Sequence, residues 1–189
     1  MSLRHAIAIA ALAATLVGPA LAQEDVIGVP GPITFEGTEF FLAWSSNPTP
    51  TYFKHEYLPE GQAVETYGQM FMVDLLTEGS TPRAAAGDMV AALEKRRGSD
   101  PVLNYEIMEN AETGEVILDF LLSGNASPTP VVEWNAYRYV PYEDGLMLFA
   151  ISRRGYNDGV TPFIKDLAIW RSDAINALAT MDLPVPETD

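Results

Sequence analysis

Leu146 to Ile151 reads LMLFAI and is apolar at every position, directly after Glu143-Asp144-Gly145. A strand of that composition is covered above and below, because successive side chains point to opposite faces of a sheet. The stretch therefore excludes a sheet with one wet face. It predicts an α+β fold, a mainly antiparallel sheet of about six strands with helices packed on both faces, in the order ββααββββα.

The remaining elements follow from period and punctuation. Ile33 to Trp44 reads as one strand, with Phe40, Leu42 and Trp44 on one face. Ser45 to Pro50 forms a loop, and Tyr52 to Leu58 is a second strand on which Phe53, His55 and Tyr57 share a side. Pro59 and Gly61 stop that strand. Val64, Tyr67, Phe71 and Leu75 then fall at helical spacing, which predicts a first helix. Thr81-Pro82 predicts the start of a second, with threonine as N-cap and proline at the first helical position. Lys95-Arg96-Arg97 fit its last turn, where cations suit the dipole. Strands are expected over 102–109, 115–123, 131–140 and 146–153, the last two joined by an Asp-Gly hairpin. A long helix begins at Pro162, with Phe163, Leu167, Trp170, Ala174, Leu178 and Met181 on its buried stripe, widened by Ile164, Ala168 and Ile175.

Residues 1–22 have the form of a cleaved secretory signal: Arg4, an apolar run from Ala6 to Val17, and Ala20-Leu21-Ala22 before Gln23. The run is shorter than the ~20 residues of a membrane span, and no later stretch is apolar enough to be one. A periplasmic or secreted location is expected. Residues 23–182 form a single domain of ordinary size, and 183–189, with two prolines, an exposed tail. The chain holds no cysteine, so its core must hold it without disulfides or a lipid anchor. Its formal net charge of −15 repels phosphate backbones and anionic headgroups, which argues against nucleic acid as a partner.

Phe41-Leu42 followed by Pro48-Thr49-Pro50 is echoed by Phe120-Leu121 followed by Pro128-Thr129-Pro130, and an aromatic strand follows each. Either an internal duplication or two loops with the same turn chemistry accounts for this. The order strand, strand, helix, helix, four strands, helix, behind a signal sequence, resembles the PsbP-like architecture. That resemblance implies an antiparallel sheet between helices and, since the grouping includes accessory and partner-binding proteins, a binding role; it assigns no residue.

Chemistry is bounded mostly by exclusion. One histidine beyond the leader and no cysteine leave the usual zinc sites without ligands and rule out a thiol nucleophile. Nucleotide-binding glycine loops, serine-nucleophile motifs and EF-hand loops are absent from the sequence, so no cofactor or metal is expected, although scattered carboxylates leave calcium open. His55 is the general-base candidate, but Glu56 points to the opposite face and cannot orient it. The sharper candidate is a pair of arginines. Pairing across the Asp-Gly hairpin puts Trp134, Ala136, Arg138 and Val140 on one face with Met147, Phe149, Ile151 and Arg153. There Arg138 and Arg153 either hold a carboxylate or phosphate, or stack on aromatics and pair with acids of the fold. The expected function is a non-enzymatic domain binding a protein partner or a small ligand; the alternative is a small hydrolase or lyase using His55 or a carboxylate.

Overall fold

The computed structural model describes residues 23–124 and 129–186. Residues 1–22, read above as a signal, Pro128 of the second Pro-Thr-Pro stretch, and the last three residues of the tail lie outside them. Eight strands form one antiparallel sheet: β1 (Ile33–Phe35), β2 (Thr38–Thr49), β3 (Tyr52–Leu58), β4 (Gln69–Leu76), β5 (Asn104–Glu109), β6 (Val116–Ser123), β7 (Val131–Tyr142) and β8 (Gly145–Tyr156). Their spatial order is β1-β2-β3-β4-β8-β7-β6-β5, curled into a half-barrel. Helix α1 (Pro82–Glu94) follows β4, and α2 (Val160–Thr180) follows β8 through a short 3-10 turn. Each half of the chain is thus a four-stranded meander and a helix. Pro48-Thr49-Pro50 and Thr129-Pro130 fall at corresponding connections, β2 to β3 and β6 to β7.

This architecture overturns the six-stranded sandwich with helices layered on both faces. Two of the expected elements resolve into extra strands. The Ile33 to Trp44 stretch folds back at Glu36-Gly37, a two-residue turn in which both residues have positive φ, so it yields β1 and β2. The predicted first helix is β4. Its helical spacing is incidental: read at period two, Phe71, Val73 and Leu75 enter one hydrophobic cluster while Met70 and Met72 enter the other. Pairing with β3 and β8 on either side then wins over intrinsic helix formation. The strand is started by Gln62, whose side-chain oxygen accepts from the Gly68 and Gln69 N–H groups at 2.7 and 3.1 Å. The element order behind the PsbP-like resemblance had two consecutive helices, and one of them is this strand.

Among the described residues two α-helices remain to cover the sheet. The 21 residues of α2 lie over β7 and β8, burying Leu167, Ala174 and Leu178 with Tyr57, Phe71, Val73, Trp134, Phe149 and Ile151. Its stripe is narrower than predicted: Ile164 is exposed and Trp170 only half-buried. The lead-in before β1 has no regular structure but inserts Ile27 and Val29 into the same core. α1 has 13 residues and lies over β6 and β7 on the other face, burying Ala86 and Leu93 with Leu118, Phe120 and Leu148. Its N-cap is Thr81, whose Oγ1 accepts from the Ala84 N–H at 3.3 Å, with Pro82 in the first turn. The helix stops at Glu94, before the basic triplet, so those cations do not serve its last turn. Arg96 and Arg97 instead close the following turns on Asp100 and Glu94.

The β7–β8 hairpin turns at Glu143-Asp144 and pairs Tyr142 with Gly145. A side chain at Gly145 would meet the Leu76 carbonyl oxygen at 1.9 Å, so glycine lets β8 approach the end of β4.

Candidate functional site

The candidates named from sequence lie on the α2 face, and the structure gives nearly all of their polar atoms partners. The register Trp134↔Arg153, Ala136↔Ile151, Arg138↔Phe149 and Val140↔Met147 places the arginine pair on one face, as the hairpin required. They do not converge. Arg138 pairs with Glu115 at 3.0 Å and donates to the Leu178 carbonyl at 2.8 Å, which ties β7 to the end of α2. Arg153 lies over the rings of Trp170 and Trp134, at 4.7 and 5.9 Å, and pairs with Glu36 from the β1–β2 turn, but its Nε is buried without a partner and it lines a cavity of about 530 Å³ with Glu36, Phe163 and Trp170. The acids come from a neighbouring strand end and a turn, not from a covering helix.

His55 is fully buried. Its Nε2 accepts from the Val26 N–H at 3.0 Å; Nδ1 lies 2.8 Å from the Tyr57 hydroxyl, which itself donates to the Val29 carbonyl at 2.5 Å. Because that hydroxyl proton is committed to Val29, Nδ1 must carry the imidazole proton. Burial lowers the pKa of the ring, against the opposing field of Asp25, whose carboxylate is 3.5 Å from Nε2. Neither nitrogen has a lone pair free to take a proton from a substrate. The residue pins the lead-in to the sheet.

On the α1 face the unmet buried atom belongs to an acid. Since α1 sits over β6 and β7, the sheet beside it, where β3, β4 and β8 run, is roofed only by the helix flank. A cavity of about 480 Å³ opens there, lined by Tyr52, Lys54, Asp74, Tyr139, Leu148 and Met89 among others. This is within the range of sites for small molecules, roughly 300–1,000 Å³. Asp74 is in its wall. Only 5% of the residue is exposed. One carboxylate oxygen, Oδ2, accepts from the Tyr52 hydroxyl at 2.7 Å and lies 3.8 Å from Lys54 Nζ. The other, Oδ1, is buried and has no hydrogen-bond partner. Burial raises the Asp74 pKa, against Lys54 and the Tyr52 hydrogen bond, and the Tyr52 phenol is likewise pushed up, by burial and by Asp74. A buried acceptor left unpaired costs about 1–3 kcal/mol, so folding leaves an unmet demand at a residue that lines the cavity.

Sequence reasoning passed over Asp74 because it fell inside the expected helix. The signal was present as a single acid within the apolar run of β4, MFMVDLL. Among the described residues no three acidic or histidine side chains converge to hold a metal ion, and no helix is long and apolar enough to cross a membrane.

Fold and cavities together define an antiparallel half-barrel with a ligand-sized cavity beside the short helix on one face and another beside Arg153 and Trp170 on the other. A protein-family model matches residues 27–183, and the chain belongs to that family. No curated protein and no solved structure matches the chain.

Proposed function

We propose that the protein is an exported, non-enzymatic binding domain that holds a small molecule with an apolar body in the cavity between α1 and the β3–β4–β8 surface. The observation that carries this reading is Asp74, a residue lining a cavity otherwise formed largely by methionine, leucine, alanine and tyrosine, whose carboxylate Oδ1 is buried and unpaired. A hydrogen-bond donor on the bound molecule satisfies it, and the apolar lining supplies the hydrophobic part of the affinity. The leader-like residues 1–22 support a periplasmic or secreted setting, and the acidic surface supports a partner other than nucleic acid.

Titration of purified protein with the uncharged fluorophore N-phenylnaphthylamine tests this. Saturable binding is expected. Ala85→Phe, which fills the cavity from the half-buried flank of α1, should weaken it by at least about tenfold while leaving the circular dichroism spectrum unchanged. Absence of saturable binding, or binding indifferent to Ala85→Phe in a folded protein, contradicts the reading.

A further inference from the structure

Asp74 Oδ1 is not the only buried polar atom on this face without a partner. Ser46 Oγ is also buried without a partner. The two are linked by register: Ser46 pairs with Lys54 across β2 and β3, and Lys54 pairs with Asp74 across β3 and β4. Paired residues point to the same side of a sheet, so Ser46, Lys54 and Asp74 form one row on the α1 face. With strands about 4.8 Å apart, the row is about 10 Å from end to end. It leads from the cavity outward, because Lys54 and Asp74 line the cavity and Ser46 stands one strand nearer the sheet edge.

A backbone irregularity places an aromatic ring beside it. Leu42 pairs with Tyr57 but Trp44 pairs with Glu56, so Ala43 is an extra residue in β2, a bulge. Without it Trp44 would follow Phe40 and Leu42 onto the α2 face, as the alternation predicts. With it, Trp44 turns to the α1 face, two residues from Ser46, and remains 38% exposed. Large aromatics outside the core are otherwise few, and Phe41, also exposed, pairs with Leu58 on the same side. Bulges commonly re-aim a side chain beside a functional site.

The polarity of the row selects a ligand. Asp74 Oδ1 only accepts, Lys54 only donates, and the Ser46 hydroxyl does either. A carboxylate or phosphate head offers acceptors to Lys54 but none of the donors that Asp74 needs. An ammonium head offers donors to Asp74 but cannot accept from Lys54 and adds a like charge beside it. A head with several hydroxyl groups supplies both, and the C–H face of a sugar ring is the surface that stacks on an exposed indole. On the reading that the cavity takes an apolar body, we infer that the molecule bound here is an uncharged, sugar-headed amphiphile, its hydroxyl groups along Ser46, Lys54 and Asp74 and its ring against Trp44.

Calorimetric titration of purified protein with octyl glucoside below its micellar concentration, 1-octanol and octylammonium separates the parts. Glu56 and Asp88, acids on the same face and in the cavity wall, make the ammonium the stronger charged competitor. Octyl glucoside should bind at least about tenfold more tightly than either of the others. Trp44→Ala and Ser46→Ala should each reduce that advantage to less than about threefold and leave octanol affinity unchanged. Both changes lie outside the cavity wall and should preserve the fold. Octanol binding with no gain from the glucose head, tighter binding of octylammonium, or an advantage that survives both variants overturns the inference while the cavity reading stands. Failure of all three molecules to bind overturns both.

Discussion

Two strands of this sheet each carry one carboxylate inside an apolar run, Asp74 in β4 and Asp119 in β6, and the fold treats them in opposite ways. Asp119 is on the α2 face and fully buried. Both of its oxygens are used: Trp134 Nε1 donates to Oδ1 at 2.5 Å, and Arg171 from α2 donates through Nε to Oδ1 and Oδ2, at 3.1 and 2.8 Å, and through a second nitrogen to Oδ2. Asp74, on the α1 face, has one oxygen bonded and one left without a partner. The cause is coverage. α2 is long enough to bring an arginine down onto β6, whereas α1 ends after 13 residues and presents Ala85, Asp88, Met89 and Ala92 towards the cavity. A buried carboxylate that folding has satisfied holds the structure together. One left short of a partner is a cost that persists where something outside the chain meets it.

The sharpest way to break the comparison is to remove Asp119. Asp119→Ala strands the buried Trp134 N–H and leaves the part-exposed Arg171 guanidinium without its acid, and should lower the free energy of unfolding by about 2–3 kcal/mol. Chemical denaturation of the variant measures this. A loss below about 1 kcal/mol would mean that Asp119 and Asp74 are alike in their contribution to folding.

His55 offers a second contrast, since it lies on β3 next to Lys54 but on the α2 side. His55→Leu leaves the Val26 N–H unpaired and should cost about 1–3 kcal/mol at pH 8. The pH dependence has a definite sign. Burial lowers the folded-state pKa below the unfolded value of about 6.5, so the unfolded chain binds the proton more readily and His55 loses its stabilising effect as pH falls through that window. The stability gap between wild type and His55→Leu should therefore narrow on acidification from pH 8 to 5. A gap that widens would mean that the Asp25 carboxylate, 3.5 Å from Nε2, holds a protonated ring in the folded state.

Much of this was open to reading in the sequence where local chemistry decides. The Thr81-Pro82 helix start, the strand character of residues 104–109, 116–123 and 131–142, and the shared face of Arg138 and Arg153 follow from capping, alternation and hairpin register. What eluded local reading depends on distant partners. β4 is buried on both faces, so helical and strand periods fit it about equally well, and pairing with β3 and β8 decides. The Trp44 side chain changes face because of one inserted residue that no period shows. Asp74 and Asp119 look alike as lone acids among apolar neighbours; only the fold reveals that Arg171, 52 residues further on, reaches one of them and nothing comparable completes the other.

The smallest expected effect bears on the central claim, that Asp74 is kept for a ligand rather than for the fold. Asp74→Asn keeps the shape and the acceptor for the Tyr52 hydroxyl but removes the buried charge. Because burial raises the folded-state pKa of Asp74 above the unfolded value of about 4, wild type loses stability as pH rises through that interval, and the variant has no such loss. Urea unfolding of the ligand-free proteins at pH 7 should show Asp74→Asn at least as stable as wild type, with any advantage disappearing below about pH 4. A variant less stable than wild type by 1 kcal/mol or more at pH 7 would show that the carboxylate and Lys54 serve the fold, and would contradict the account.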